Sequence, residues 1–460
     1  MYFEQFYLGC LAHASYLLGS GGEAVVVDPQ RDVELYLKAA AEHGLAIRHI
    51  FETHLHADFV SGHKELAERT GATIYIGARA GAKFPHCGVG DGFELGVGEI
   101  TLGVLETPGH TPESVCVTVT DPAGAVRPWA VLTGDTLFIG DVGRPDLSKT
   151  HTPAELAGLL YDSLHQKLLR LPDATQVYPA HGAGSLCGRS MRAERVSTIG
   201  TERLTNYALQ IGSREEFVRS MIANLPARPD YFLQDAEINR QGAAALGELP
   251  ALTAIPAARL KAILEGGALV LDVRSPEQFA AGHVPGSVNI GLGGQFASWA
   301  GTVLGLAARP VLVAASREQV DEARMRLARV GIDAEADYLE GGIAGWQQAG
   351  FPLAQTPQMT VSELRGRLDR EVDVLDVRRE PEWQAGHIQG AELWPVDRFG
   401  SELPPLRRDR PIAVHCQGGY RSMIACSLLE KAGYDNVINV VGGFDAWQAA
   451  GLPQELGVCS

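Results

Sequence analysis

The second half of this chain repeats itself, and a repeat of this length admits few architectures. Leu271-Asp-Val-Arg274 recurs as Leu375-Asp-Val-Arg378, and Ala281-Gly-His283 recurs as Ala385-Gly-His387. Pro310-Val-Leu-Val recurs as Pro411-Ile-Ala-Val, and Gly341-Gly-Ile-Ala-Gly-Trp346 as Gly442-Gly-Phe-Asp-Ala-Trp447. The offset is 104 residues for the first two matches and 101 for the last two, so the copies differ by a short loop. Each copy alternates short apolar runs with helical patterns, which reads as a small parallel α/β domain. Linkers with prolines and glycines fall near residues 247–256 and 350–359. The sequence thus predicts three domains, at residues 1–246, 252–352 and 357–460.

A chain of 460 residues is too long for one ordinary core, which agrees with that division. The formal net charge of −16 argues against nucleic acid or an anionic membrane as partner, because phosphate neutralisation needs clustered Lys and Arg. No apolar run approaches membrane-spanning length. The N-terminal Met-Tyr-Phe-Glu-Gln-Phe lacks the basic start of a secretory signal. Seven cysteines are a low and odd count, not a disulfide framework. The expected compartment is a reducing cytoplasm.

In the first half, strand-like runs end again and again on metal-ligating residue types. Asp32 is expected to cap a helix after the strand Ala24–Asp28. The run Ile47–Thr53 leads into His54-Leu-His56-Ala-Asp58, and Leu105–Thr107 precedes Pro-Gly-His110. Ala130–Thr133 precedes Gly134-Asp135, and Gln176–Tyr178 precedes Pro-Ala-His181. Four strand ends offering His or Asp predict one convergent site. This ordered set resembles the metallo-β-lactamase superfamily over roughly residues 1–245. The resemblance implies an αββα sandwich, with His54, His56 and His110 lining a first metal position. Asp58 and His181 would belong to a second position, and Asp135 would bridge the two.

Where a two-metal hydrolase of that superfamily carries a histidine after Asp58, this chain carries Phe59. A phenyl ring donates no lone pair, so the second position is short of a ligand and a single metal is expected. Two imidazoles and a carboxylate with open positions suit Fe(II) and oxygen activation. The segment Gly134-Asp-Thr-Leu-Phe-Ile-Gly-Asp-Val-Gly-Arg-Pro-Asp146 resembles the persulfide dioxygenase branch. That resemblance implies one Fe(II) per chain, rather than zinc, on His54, His110 and Asp135, with His56, Asp58 and His181 orienting the ligands around it. It also implies the reaction in which a persulfide R–S–SH, oxygen and water give the thiol R–SH and sulfite. Arg144 is a candidate for the anionic substrate, or else half of a salt bridge within its loop. Cys187, close in sequence to His181, is a candidate for substrate contact or sulfur relay.

His415-Cys-Gln-Gly-Gly-Tyr-Arg-Ser422 follows an apolar strand and precedes a helical run. A cysteine at such a turn meets backbone N–H groups and the positive end of a helix dipole, which favour the thiolate. With the repeated motifs around it, the segment resembles a rhodanese. Cys416 would then carry a persulfide between donor and acceptor, and Arg421 would hold an oxyanion. Gln417, Gly418, Gly419, Tyr420 and Ser422 would form the loop about the sulfur. In the earlier copy Ala315 stands where Cys416 stands, followed by Ser316-Arg-Glu-Gln, so that copy is expected to be structural.

The fold class predicted is therefore α/β multidomain, a metallo-β-lactamase sandwich followed by two small parallel-sheet rhodanese domains. The activity expected is oxidation of a thiol persulfide (glutathione, coenzyme A or a similar thiol) by oxygen, joined to sulfur transfer among persulfide, sulfite and thiosulfate. Two rivals stand beside it. One is a glyoxalase II-like thiolester hydrolase with a rhodanese attached; the other is a non-catalytic sulfur carrier or scaffold. Neither a nucleic acid nor a membrane is expected as partner, and a homo-oligomer is compatible with the superfamily.

Overall fold

The computed structural model describes residues 1–457 apart from 126, 224, 226, 335, 336, 369 and 370. The chain divides into two compact units, Met1–Glu248 with Ala328–Gly331, and Leu249–Leu327 with Ile332–Ser460.

The first unit holds two six-stranded sheets. One contains β1 (Tyr2–Leu8), β2 (His13–Ser20), β3 (Glu23–Val27), β4 (Ala46–Glu52), β5 (Thr73–Gly77) and β6 (Cys87–Val89), each beside the next. The other contains β7 (Glu94–Val97), β8 (Ile100–Glu106), β9 (Val115–Thr120), β10 (Ala130–Gly134), β11 (Gln176–Pro179) and β12 (Ser197–Thr198), likewise in sequence order. Alternate side chains of a strand leave opposite faces, so both faces can be apolar only if both are covered. They are. Val25, Val27 and Phe51 meet Leu102, Val104, Val117 and Leu132 in a core between the sheets. Val26, Ile50 and Ile74, on the other face, pack with Val33, Tyr36, Ala40 and Leu66 around the helices Glu34–Glu42 and His63–Thr70. Val131 and Val177 pack with Leu160, Leu164 and Phe217 from the helices Pro153–Gln166 and Arg214–Ile222. The layers run helix, sheet, sheet, helix, as the resemblance implies.

One expected cap is absent. The helix after β3 begins at Glu34 with Val33 at its cap position, and no side chain caps it. Gly44 follows its end at φ 64°, a left-handed turn that favours glycine.

The second unit holds two five-stranded parallel sheets of matching order. The earlier runs β13-β17-β16-β14-β15, built from β13 (Thr253–Ile255), β14 (Val270–Asp272), β15 (Val288–Asn289), β16 (Val311–Val313) and β17 (Asp337–Leu339). The later copy contributes β18 (Gln358–Met359), β19 (Asp373–Asp376), β20 (His387–Ile388), β21 (Glu392–Leu393), β22 (Ile412–His415), β23 (Val437–Val440) and β24 (Gln454–Glu455). Its sheet runs β18-β23-β22-β19-β21, while β20 and β24 pair antiparallel. The repeated Asp-Val-Arg holds each copy together. Arg274 makes a two-pronged pair with Asp272, and Arg378 makes the same pair with Asp376, with Nε at 3.0 Å and Nη2 at 2.7 Å in the latter. Trp346 and Trp447 are buried, and each indole N–H donates to a proline carbonyl at 2.8 Å. Among the described residues no helix is long and apolar enough to cross a membrane.

Candidate functional site

The four strand ends converge. His54 and Asp58 follow β4, His110 follows β8, Asp135 follows β10 and His181 follows β11, and all are buried. His54 Nε2, His110 Nε2 and one oxygen of Asp135 belong to a group of donor atoms lying within 4.8 Å of one another. His110 Nε2 is 3.4 Å and His54 Nε2 is 3.9 Å from Asp135 Oδ2.

The partners of the other ring nitrogens set the tautomers. His110 Nδ1 lies 2.9 Å from the Arg144 carbonyl, which can only accept, so Nδ1 carries the proton and Nε2 offers a lone pair. The Thr53 hydroxyl donates to Asp28 Oδ2 at 2.9 Å, so its oxygen is free to accept from His54 Nδ1 at 3.0 Å. His54 Nε2 is then likewise a lone pair. Asp28 is held at φ 52°, a strained left-handed conformation that turns its carboxylate onto Thr53 N–H, the Thr53 hydroxyl and His56. His56 Nε2 lies 3.1 Å from Asp28 and is thereby turned to a carboxylate of its own.

His54 Nε2, His110 Nε2 and Asp135 Oδ2 have no hydrogen-bond partner, although all three are buried. Stranded polar atoms cost free energy unless something binds them. Two neutral imidazoles and one carboxylate are a donor set that fits a divalent transition metal. Burial pushes both imidazoles below their ordinary range, which keeps them neutral and fit to donate. Burial alone would raise the Asp135 carboxyl, but His181, His110 and His54 outweigh it and hold the group well below the usual carboxylate range.

The second position has a different character. Phe59 is fully buried, and its ring packs 4.4 Å from that of His56 and 4.1 Å from that of His13. His181 is clasped by carboxylates, with Nδ1 2.7 Å from Asp135 Oδ1 and Nε2 2.9 Å from Asp58 Oδ2. Burial would lower its pKa, yet Asp135 and Asp58 raise it well above the ordinary value. Both ring nitrogens of His181 thus face carboxylates, which hold the ring between Asp135 and Asp58.

Two residues here escape a reading of the sequence. His13, at the start of β2, is fully buried, its ring 5.4 Å from that of His181, and neither ring nitrogen has a hydrogen-bond partner. Asn239 donates to the carbonyls of His56 and Phe59 and accepts from Ser61 N–H, each at 2.8 Å, and so pins the histidine loop from a helix 180 residues away. Only a folded chain brings such residues together, and no local motif marks them. Cys187 does reach the site: it groups with Asp58 and His181, and burial, with Asp58 and Asp135 nearby, pushes its thiol well up. The Arg144 guanidinium goes to Asp146 at 2.7 and 2.8 Å, which is the loop salt bridge of the two sequence alternatives.

Gly143 lies where the loop passes behind the ligands. A Cβ there would fall 2.0 Å from the Asp135 carbonyl and 2.9 Å from His110 Nδ1. Gly143→Ala is expected to displace both groups, costing about 1–3 kcal/mol of stability by overpacking. Bound metal should fall in parallel, and metal analysis with thermal unfolding checks both.

In the second unit, Cys416 follows β22 and is buried. Gly419 N–H points at its sulfur at 3.1 Å, and Ser422 Oγ is 3.6 Å away. Gly419 takes φ 105° to turn the loop into the helix Tyr420–Lys431. Gln417 accepts from Arg378 at 3.1 Å and donates to Asp445. The Tyr420 hydroxyl donates to the Gly291 carbonyl of the earlier copy at 2.6 Å, and its ring lies where a side chain on Gly294 would be. Arg421, expected to face an oxyanion, is paired with Glu382. In the earlier copy Ala315 is exposed, and its N–H is taken by Gln319.

Comparison with known proteins finds two families in the chain. A family model for the metallo-beta-lactamase superfamily matches residues 8–181, and one for the rhodanese-like domain matches 256–349 and 360–450. The mitochondrial persulfide dioxygenase ETHE1 of Bos taurus is 33% identical over 220 residues, covering 46% of this chain and 77% of the relative. A hydroxyacylglutathione hydrolase of Anaeromyxobacter dehalogenans is 34% identical over 170 residues, covering 36% and 60%. Among solved structures, a metallo-beta-lactamase from Staphylococcus aureus is 35% identical with a TM-score of 0.66, covering 74% of this chain and 98% of that one.

Proposed function

Because the chain belongs to the metallo-β-lactamase superfamily and carries two rhodanese-like domains, we propose that it is an enzyme of sulfur metabolism that oxidises a thiol persulfide to sulfite and transfers sulfur through Cys416. The observation that carries the first activity is the convergence of three stranded donors, His54 Nε2, His110 Nε2 and Asp135 Oδ2. These residues would hold a single Fe(II), which when bound supplies the means of activating oxygen. His181 fixes Asp135 through Oδ1, Asp58 fixes His181, and His56 is fixed by Asp28. Phe59 offers no donor at the second position, where a two-metal hydrolase needs one. The persulfide is that of glutathione, coenzyme A or a similar thiol, and the expected compartment is the cytoplasm; the described cysteines are free.

At Cys416 the thiolate attacks the outer sulfur of thiosulfate, the sulfur–sulfur bond breaks and sulfite leaves with the electron pair. An acceptor thiolate then takes the terminal sulfur and returns Cys416 to the thiolate. Gly419 N–H, directed at the sulfur, supports the anionic forms on both sides of that exchange. The earlier copy has no thiol at this position and serves as structure.

Oxygen uptake on adding glutathione persulfide, with metal analysis of the same sample, tests the reading. Consumption of oxygen with about one iron per chain supports it. Zinc near two per chain, with thiolester hydrolysis and no oxygen uptake, would establish the hydrolase instead. Phe59→His is expected to raise zinc uptake and lower oxygen consumption, by placing a nitrogen donor beside Asp58 and His181. A variant that keeps one iron and the parent rate would remove Phe59 from the account.

A further inference from the structure

The arginines that pack about the Cys416 loop are each matched to a carboxylate. Arg421 Nη1 and Nη2 donate to Glu382 at 2.7 and 2.6 Å. Glu382 also accepts from the Arg379 main-chain N–H at 3.0 Å, so the carboxylate is fixed from two directions. Arg378 is committed to Asp376, and Arg379 Nε lies 3.6 Å from Asp397. On the far side of the loop Asp445 accepts from Gln417 and lies over Gly418, with no ion-pair partner among the described residues. Three pairs cancel and one carboxylate remains.

That balance matters for what the thiol can meet. Discrimination among charged ligands follows the summed charge of the cleft, not the presence of one arginine. A loop built to hold a dianion firmly needs surplus positive charge, and here Glu382 takes that surplus from Arg421. Resting on the reading that Cys416 transfers sulfur, we propose that Glu382 is a specificity-determining residue. By pairing Arg421 it weakens the hold of the loop on dianionic sulfur compounds such as thiosulfate, relative to thiols and persulfides that bear less charge near the sulfur.

The test is Glu382→Gln in the full chain, which keeps the shape and an acceptor for Arg379 N–H but removes the charge. The KM for thiosulfate is expected to fall on the order of ten-fold, with kcat changing far less. A merely structural role would lower kcat and thermal stability and leave KM in place, which overturns the proposal. A second readout needs no turnover: the rate of Cys416 alkylation by anionic iodoacetate relative to neutral iodoacetamide, followed on the Cys416 peptide by mass spectrometry. This ratio should rise several-fold in the variant, and an unchanged ratio overturns the proposal. Wild type without sulfur transfer would instead remove the function assigned to Cys416, while the alkylation ratio still judges Glu382. Should Glu382→Gln not fold, the unaltered protein decides. A charge-balanced loop gives a ratio that holds or rises with added salt, and a steep fall with salt overturns the proposal.

Discussion

Cys416→Ser is expected to abolish sulfur transfer from thiosulfate to a thiol, a loss on the order of a thousand-fold or more. The substitution is close to isosteric, and the sulfur sits in a buried niche beside Gly419 N–H and Ser422, so the loop should keep its form. What disappears is the nucleophile, because a serine hydroxyl stays protonated at neutral pH. The proposed metal ligands His54, His110 and Asp135 all belong to the first unit, so oxygen-dependent oxidation of a supplied persulfide should continue. Sulfite and thiosulfate measured together show the difference. The parent should yield both from persulfide and oxygen, and the variant should yield sulfite with little enzymatic thiosulfate. If the variant also stops oxygen uptake from free persulfide, Cys416 loads the metal centre directly, and the two reactions are not separable.

The sequence speaks most clearly where chemistry follows secondary structure at once. His54, His110, Asp135 and His181 each follow a strand end, and Cys416 stands between a strand and a helix, so their placement travels with short motifs. The repeat likewise makes the two parallel sheets readable, because the same Asp-Val-Arg and Gly-Gly-x-x-x-Trp elements hold both copies. What stays hidden depends on partners distant in the chain or on backbone form. His13 becomes a neighbour of His181 only through the packing of two sheets. Asp28 serves Thr53 and His56 only because its backbone is left-handed, which no residue pattern announces for an aspartate. Arg421 reads as a free cation until Glu382, 39 residues earlier, is folded against it. The missing cap at Val33 has a similar origin, since burial of Val33, Tyr36 and Ala40 sets where that helix begins.

His110→Ala is expected to have the opposite effect to Cys416→Ser. It removes one of two neutral nitrogen donors and leaves His54 Nε2 and Asp135 Oδ2 as an incomplete set. Loss of a partner that merely orients a ligand commonly costs ten- to a hundred-fold in metal affinity, so loss of a ligand should cost more than about a hundred-fold. Iron should then fall from about one per chain toward zero, and oxygen uptake with persulfide should fall with it. The deletion also frees the Arg144 carbonyl, which held His110 Nδ1 at 2.9 Å, so some local loosening of that loop is expected. Loosening alone is separable from metal loss by a linkage measurement. Added Fe(II) under anaerobic conditions should raise the unfolding temperature of the parent, because a ligand that binds the folded state stabilises it, and should leave the variant unmoved. Transfer of sulfur from thiosulfate should persist in His110→Ala, because Cys416 and its loop belong to the other unit. A variant that still binds one iron and oxidises persulfide at the parent rate would take His110 out of the metal centre, and the neutral Nε2 lone pair would then need another purpose.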